Sequence, residues 1–197
     1  GSYKWSSSKT TLPANETKKE FDKKPVLERF DHQLKISGLK TFHTLKPDFS
    51  WGCSNIDKLI SKYNLSDYIL LFPFCSEHLQ QKKWPYYDQL IKLIKQNHPN
   101  LKIVIAPGPD EIEKAKKLDA VSILKEDKAI SISELAGLIK RSKFVVANDT
   151  GPAHMAAHLN VKGLSLFGSH TTAHKVSIER ENFKAIQVSD LKNLSAE

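Results

Sequence analysis

The pattern of apolar and polar positions becomes regular from Asp67 onward. Short, mostly apolar runs alternate with longer stretches in which apolar residues recur every three or four positions. The short runs predict buried β-strands, and the longer stretches predict amphipathic helices. The predicted strands are residues 67–72, 101–106, 120–124, 144–147, 163–167 and 185–188, and the predicted helices are residues 86–96, 110–118, 131–142 and 151–159.

Strands separated by helices at this spacing predict right-handed β-α-β crossovers and a parallel sheet. We therefore expect an α/β fold, with a Rossmann-like parallel sheet and helices on both faces. Sheets of this kind bind ligands at the carboxyl ends of their strands. The loops that follow the strands are the candidate binding segments.

The amino-terminal quarter of the chain follows a different pattern. Residues 1–25 are rich in Ser, Thr, Lys, Asn and Glu and contain few apolar residues, which predicts a polar tail. An amphipathic helix is expected over residues 25–39, a linker over 40–54 and a short helix over 55–63. The expected division is a tail, a remnant helix and a linker over residues 1–54, and one Rossmann-like domain over residues 55–197.

Composition narrows the classes of protein that fit. No run of about 18 apolar residues is present, and the amino terminus lacks the apolar centre of a signal peptide. The two cysteines form no disulfide framework and suit a reducing cytosol. The net charge of +8 favours anionic partners, namely nucleotides, nucleic acid or anionic lipid headgroups. The lysines are scattered, so solvated helix faces are an alternative explanation for that charge.

One segment combines a buried strand, a polar turn and a helix start. After the strand at residues 144–147, Thr150 is a suitable N-cap, and Pro152 is tolerated in the first turn of the following helix. The free N–H groups and the dipole of that turn favour an anion, most simply a phosphate. Asp149 and His154 flank the same turn, so an acid and an imidazole are expected beside the anion.

Two further strand-end loops carry candidate binding groups. After the first predicted strand, Ser76 offers a hydroxyl and Lys82 or Lys83 offers an ammonium, which suit a diphosphate. An exposed loop with incidental lysines is the alternative. After the second strand, Asp110 or Glu111 begins a helix, where a carboxylate either binds a ribose diol or only complements the helix dipole.

Histidine pairs spaced four residues apart raise the question of a metal site. Such pairs are His154 with His158 and His170 with His174, but Met155 stands where a metalloprotease motif has glutamate. No third ligand is marked by the sequence. Neither a metal nor another cofactor is expected.

Taken together, these segments resemble the carboxyl-terminal half of the ADP-heptose:lipopolysaccharide heptosyltransferases, glycosyltransferase family 9. The matching motifs are Lys82-Lys83-Trp84-Pro85, Gly108-Pro109-Asp110-Glu111, residues 148–157 and Leu166-Phe167-Gly168, within a resemblance that covers roughly residues 26–197. The resemblance implies a GT-B architecture, in which two Rossmann-like domains face each other across a cleft. Residues 55–197 would then form the domain that binds the nucleotide sugar.

The resemblance also implies roles for eight residues. The implied catalytic residues are Lys82, Asp149 and His154, and the implied substrate-binding residues are Ser76, Glu111, Ile130, Thr150 and Gly151. Lys82 would neutralise the diphosphate of an ADP-sugar, whose oxygens Ser76 and the N–H groups of the Thr150 turn would hold. Glu111 would bind the adenosine ribose, and Ile130 would pack on adenine. Asp149 would meet the sugar hydroxyls, with His154 beside the phosphate or sugar.

Two departures from the family pattern limit the implied activity. Pro73-Phe74-Cys75 stands where the family often has Pro-Gly-Ala, and the family's general-base aspartate has no match in residues 1–50. We therefore expect an excised or truncated donor-binding domain of an inverting heptosyltransferase of lipopolysaccharide core synthesis, inactive alone. The acceptor, a lipopolysaccharide core or lipid A-type molecule, would be reached through the missing domain.

Two alternatives from other classes remain open. One is a non-catalytic nucleotide-binding module that kept the pocket and lost the acceptor domain. The other is a basic module for nucleic acid or anionic lipid, although no nucleic-acid motif supports it. If the family resemblance holds, nucleic acid is not expected as a partner. The expected location is the cytoplasm, with peripheral contact to the inner membrane of a Gram-negative bacterium as a further option.

Overall fold

A computed structural model describes residues 11–197, and the first ten residues of the predicted tail lie outside the described part. Six strands form one parallel sheet in the order β3-β2-β1-β4-β5-β6, which is the order of a doubly wound Rossmann fold. The predicted α/β class is therefore confirmed. The strands are β1 Tyr68–Phe72, β2 Lys102–Ile105, β3 Val121–Ser122, β4 Phe144–Asn148, β5 Gly163–Phe167 and β6 Phe183–Gln187.

Helices precede and connect these strands. The α-helices are α1 Lys18–Phe21, α2 Val26–Ile36, α3 Asp57–Tyr63, α4 Tyr87–Asn97, α5 Ile112–Ala115, α6 Ile132–Arg141, α7 Gly151–His158 and α8 Ala173–Val176, and the 3₁₀ turns are Ser50–Gly52, Glu77–Lys82, Pro109–Glu111 and Leu191–Asn193. Within residues 11–197, no helix has both the length and the apolar character needed to cross a lipid bilayer.

The sheet is buried on both faces, which explains its nearly continuous apolar strands. On one face, α3, α6 and α7 contribute to a core that includes Leu59, Leu138 and Ala156. On the other face, α4 contributes Ile91, the loop before it contributes Trp84, and the carboxyl-terminal segment contributes Leu191. The predicted arrangement of helices on both faces is therefore the observed one.

The region predicted as helix 110–118 differs from the prediction. The chain first makes the 3₁₀ turn Pro109–Glu111, and the α-helix that follows spans only Ile112–Ala115. Its end is set by hydrogen bonds that reach back three residues, from Lys117 to Lys114 and from Leu118 to Ala115. Such bonds tighten the last turn and prevent the helix from continuing.

The predicted polar tail is partly folded. Thr17 and Glu20 form a reciprocal capping box that starts α1, and Phe21 at the end of that helix is only 3% exposed. The Phe21 ring meets the His32 ring of α2 edge to face, with 5.4 Å between ring centroids. One apolar side chain therefore anchors the end of this segment to the remnant helix.

The linker is joined tightly to α6. The Ser54 N–H donates to the Ser133 carbonyl over 2.9 Å. A Cβ atom added to Gly137 would lie 2.5 Å from the Ser54 carbonyl oxygen and 2.9 Å from Cγ2 of Ile56. Only glycine allows the helix backbone to approach the linker this closely.

A buried histidine lies where α7 ends against the linker. His158 packs edge to face on Phe49, with 5.4 Å between ring centroids, and its Nδ1 lies 3.2 Å from Nη2 of Arg180. Because a guanidinium can only donate, Nδ1 is unprotonated. Burial, with Arg180 and His154 nearby, lowers the pKa of His158 to about 4.

This histidine makes stability depend on pH. The unfolded chain takes up a proton at His158 near its ordinary pKa of about 6.5, while the folded chain does not until about pH 4. The free energy of unfolding should therefore fall by about 1–2 kcal/mol more in the parent protein than in His158→Gln between pH 6.5 and 4. Urea titrations across this range test it, and parallel pH curves for the two proteins would contradict it.

Candidate functional site

A cavity of about 530 Å³ opens at the carboxyl edge of the sheet. It lies at the point where the strand order reverses between β1 and β4, which is where doubly wound sheets bind their ligands. The loops after β1, β2 and β4 and the segment before α6 line it. Its lining residues are Phe72, Pro73, Phe74, Cys75, Ser76, Ile105, Ala106, Pro107, Gly108, Pro109, Glu111, Ala129, Ile130, Ser131, Ile132, Leu135, Thr150, Gly151 and Pro152.

The structure brings all five predicted substrate-binding residues to this one cavity. They are Ser76, Glu111, Ile130, Thr150 and Gly151. Phe74, Ile105 and Leu135 add apolar surface to the lining that contains Ile130. The cavity can therefore take a ligand with one flat apolar part and one polar part. The roles of the five residues stay predictions.

The three predicted catalytic residues form a contiguous cluster beside the cavity. Asp149 follows β4 directly, and its Oδ2 lies 2.7 Å from Nζ of Lys82. Its other oxygen, Oδ1, lies 3.5 Å from Nε2 of His154 on α7. Because Thr150 and Gly151, the next two residues, line the cavity, this charged cluster stands at the cavity's rim.

The Asp149 carboxylate is buried yet held in its charged form. Its side chain is 4% exposed, and burial alone would raise its pKa. Hydrogen bonds from His154, Lys82 and His170 outweigh that effect and hold the pKa of Asp149 well below its usual range. Asp149 is therefore an anion that orients its donors and is a weak base.

The loop that carries Lys82 is fixed to the sheet by a buried amide. Oδ1 of Asn148, the last residue of β4, accepts the Trp84 N–H over 3.1 Å. The Trp84 indole in turn donates to the Leu194 carbonyl over 2.9 Å. These bonds place the end of the 3₁₀ turn Glu77–Lys82 directly over the end of β4, which positions Lys82 against Asp149.

The start of α7 is open toward the cavity. Thr150 occupies the predicted N-cap position with an extended backbone, but its hydroxyl donates to the Asn148 carbonyl over 3.3 Å and makes no side-chain cap. Thr150 is therefore the N-cap residue, as predicted, but it caps the helix without a side-chain hydrogen bond. A Cβ atom added to Gly151 would meet nothing within 4 Å. Pro152 has no N–H and the Ala153 N–H donates to the Thr150 carbonyl over 3.0 Å, whereas the Gly151 N–H has no backbone partner within residues 11–197. The Gly151 N–H is therefore the backbone donor that the first turn of α7 can offer to an anion.

Glu111 both stabilises a turn and lines the cavity. Its Oε2 accepts the Gly108 N–H over 2.8 Å, so it stabilises the turn that begins the 3₁₀ segment. It also lines the cavity, whereas the neighbouring Asp110 does not. The structure therefore singles out Glu111, and not Asp110, as the acidic group that a ligand can meet.

His170 is part of the charged cluster and was missed as a site residue. Its Nε2 lies 3.0 Å from Oδ2 of Asp149, and its side chain is 7% exposed. The ring stacks on Phe167, the last residue of β5, with 6.0 Å between centroids and 12° between planes. The only signal in the sequence was its place just after Leu166-Phe167-Gly168, at the same sheet edge.

The histidine pairs are engaged in other contacts. His158 faces Arg180, and its ring stacks on His154 with 6.5 Å between centroids. In the described part of the chain, no group of three or more His, Cys, Asp and Glu side chains is placed to hold a metal ion. The absence of a cofactor stays a prediction.

Sheet order and site together define the class of protein. A 3-2-1-4-5-6 parallel sheet with its cavity at the switch point is a Rossmann-like α/β domain. The *Escherichia coli* heptosyltransferase WaaC with ADP has a similar fold, with a TM-score of 0.63 at 23% identity over 86% of this chain and 52% of that one. A glycosyltransferase family 9 protein from *Veillonella parvula* gives a TM-score of 0.62 at 16% identity over 90% of this chain and 51% of that one. The fold is thus that of one half of a GT-B enzyme.

Sequence comparison identifies the family. The profile described as glycosyltransferase family 9 (heptosyltransferase) matches residues 3–192, so the chain belongs to this family. Lipopolysaccharide heptosyltransferase 1 of *Campylobacter coli* is 31% identical over 100 residues, which are 46% of this chain and 29% of that protein. The chain spans about half the length of the solved structures it matches.

Proposed function

We propose that this chain binds the ADP-sugar donor of a lipopolysaccharide heptosyltransferase. The donor would be ADP-heptose or a closely related nucleotide sugar. Its adenosine would lie in the cavity at the switch point, with its diphosphate between the start of α7 and Lys82. The transferred sugar would lie beside Asp149 and His154.

The observation that carries this proposal is the arrangement of groups around one cavity. The apolar part of the lining, which includes Ile130, suits adenine, and Glu111, which lines the same cavity, offers a carboxylate to the ribose. The open helix start and the Lys82 ammonium together offer what a diphosphate requires. Negative charge develops on the diphosphate as the sugar leaves, and a fixed cation with a helix terminus stabilises it.

The ligands in two solved relatives support the choice of donor. The *E. coli* WaaC structures that match this chain contain ADP in one case and ADP-2-deoxy-2-fluoro heptose in the other. The second gives a TM-score of 0.62 at 22% identity over 86% of this chain and 52% of that one. By analogy, the chain would act in lipopolysaccharide synthesis, with a core or lipid A-type acceptor.

We also propose that these 197 residues do not catalyse transfer alone. Transfer by inversion requires a base that accepts the proton of the acceptor hydroxyl. Asp149 does not fit this role because its pKa is held low by three donors. The family's general-base aspartate has no counterpart in residues 1–50. The donor half and the base would then belong to different parts of the enzyme.

The donor proposal predicts selective binding of ADP compounds. ADP and ADP-heptose should each bind with a Kd between about 1 μM and 1 mM by calorimetry, the range of ordinary enzyme substrates. Glu111→Ala should weaken binding of both about tenfold, because a hydrogen bond from the ribose to a charged group is lost. The neighbouring Asp110→Ala should bind as the parent protein does.

The outcomes separate the proposal from its alternatives. Binding of a DNA duplex or anionic vesicles without binding of ADP at millimolar concentration would overturn it and favour the basic module. If Glu111→Ala and Asp110→Ala weaken ADP binding equally, ADP does not bind in the cavity that Glu111 lines. A non-catalytic module would bind ADP-heptose equally well, but it would transfer no sugar when supplied with a family acceptor domain.

A further inference from the structure

Two donors converge on a single oxygen of Asp149. Lys82 Nζ and His170 Nε2 contact Oδ2 at 2.7 and 3.0 Å, whereas His154 contacts Oδ1 at the longer distance of 3.5 Å. Because an ionised carboxylate only accepts, Nε2 of His170 carries the proton of that bond. Oδ2 is therefore held by two groups at once.

The two donors differ in their freedom to move. The His170 side chain is 7% exposed and stacked on Phe167, which fixes its ring at the end of β5. The Lys82 side chain is 22% exposed and ends a flexible four-carbon stem at the rim of the cavity. When an anion enters beside α7, Lys82 can turn toward it, while His170 stays on Oδ2.

Burying the His170 ring leaves one ring nitrogen without a hydrogen bond in the described part of the chain, and packing on Phe167 alone does not require that. Its Nδ1 is buried and has no hydrogen-bond partner within residues 11–197. An apolar side chain would stack on Phe167 without leaving a ring nitrogen unsatisfied. The contact with Asp149 is therefore the feature that justifies an imidazole at this position.

We propose that His170 is a positioning residue that frees Lys82 for the diphosphate. This inference rests on the proposed function. With His170 in place, Asp149 keeps a donor on Oδ2 when Lys82 turns to the ligand. Without His170, moving Lys82 would leave Oδ2 of a buried carboxylate unpaired, and Lys82 would stay on Asp149. His170 thus acts through Asp149 and Lys82 and does not touch the ligand.

A double-mutant cycle tests this coupling with ADP and adenosine as probes. His170→Leu should weaken ADP binding about tenfold, the value of one hydrogen bond to a charged group. Binding of adenosine, which has no diphosphate, should not change. His170→Gln, whose amide can donate to Oδ2, should bind ADP within about threefold of the parent protein. In a Lys82→Met background, His170→Leu should have no further effect on ADP.

Three results would overturn the proposal. Equal losses for ADP and adenosine would mean that His170 only maintains the cavity. If His170→Leu also weakens ADP binding about tenfold in the Lys82→Met background, His170 acts independently of Lys82. If ADP affinity is unchanged in His170→Leu, Lys82 can turn to the diphosphate without His170.

A measurement without ligand separates this inference from the donor proposal. Lys82 can be acylated by acetic anhydride only when its amine leaves the ion pair, and Lys83 provides the reference in the same molecule. Its acylation rate relative to Lys83 should fall severalfold in His170→Leu and recover in His170→Gln. If ADP fails to bind the parent protein but this rate responds, only the donor proposal fails. An unchanged rate overturns the role of His170.

Discussion

Replacing Lys82 by alanine is expected to weaken ADP-heptose and ADP binding by about 10- to 100-fold. The ammonium is the cation that stands beside both Asp149 and the open start of α7. Loss of a hydrogen bond to a charged group costs about 1.5–3 kcal/mol, which corresponds to that range of affinity. Calorimetric titration of the parent protein and the variant measures the ratio directly.

Lys83→Ala is the matched control for this substitution. Lys83 is the next residue in the chain, but its side chain is exposed and lines a separate small pocket with Trp84 and Asp88. Its removal should leave ADP affinity within about twofold, since exposed charges contribute little. Equal effects of the two substitutions would show that general positive charge, and not the Asp149 pair, binds the anion.

The Lys82 variant should remain folded at the temperature of the titration. Asp149 keeps its contacts with His154 and His170, so the buried carboxylate is not left without donors. We expect stability to fall by no more than about 1–2 kcal/mol. A collapse of the melting transition would mean that the ion pair holds the fold together and that a binding role cannot be inferred from this variant.

Replacing Gly137 by alanine is expected to reduce the free energy of unfolding by about 1–2 kcal/mol. The new Cβ would lie 2.5 Å from the Ser54 backbone oxygen, which has no flexible side chain to yield. Overpacking of this kind costs about 1–3 kcal/mol or more, while alanine returns about 1 kcal/mol through its helix propensity. The steric term exceeds the propensity term because α6 or the linker must shift. Chemical denaturation measures the difference.

Gly52→Ala is the control for the Gly137 substitution. A Cβ at Gly52 would meet nothing within 4 Å, and its φ is not in the left-handed region. This change should leave stability unchanged or raise it by a few tenths of a kcal/mol, since it restricts only the unfolded chain. A destabilised Gly52→Ala would show that the linker tolerates no added side chain at all.

The central strands β1, β2, β4 and β5 were predictable because they are largely buried and therefore carry short apolar runs. β5 spans Gly163–Phe167, as its apolar run predicted, β1 and β4 differ from their predicted ranges by one residue at one end, and β2 is shorter by one residue at each end. The edge strands differ more: β3 is only Val121–Ser122, and β6 begins two residues before and ends one residue before the predicted range 185–188. The capping box that opens α6 is also local, and Ser131 and Glu134 form it in the structure. Short-range patterns suffice where the physical cause is itself short-range.

The missed features depend on contacts between distant residues. His170 meets Asp149 across 21 positions, and the Trp84 N–H meets the Asn148 side chain across 64. The hydrophobic periodicity of the sequence carries no information about contacts between residues this far apart. Similarly, Phe21 lies in a polar segment whose composition predicts a tail, and its burial depends on the facing surface of α2. The cavity could be placed at the sheet edge from topology, but the charge network at its rim could not.

The open start of α7 links occupancy of the site to the integrity of that helix. Since the Thr150 hydroxyl is turned away to Asn148, the first turn has no side-chain cap, a deficiency of about 1 kcal/mol. Under the proposed function, a bound anion would accept the Gly151 N–H, which has no backbone partner within residues 11–197, so we expect that amide to become protected from hydrogen exchange when the site is filled. Ligand at 100 times its Kd adds about 2.7 kcal/mol to the folded state. Opening of the first turn of α7 and release of the ligand are then coupled equilibria, so that each one favours the other.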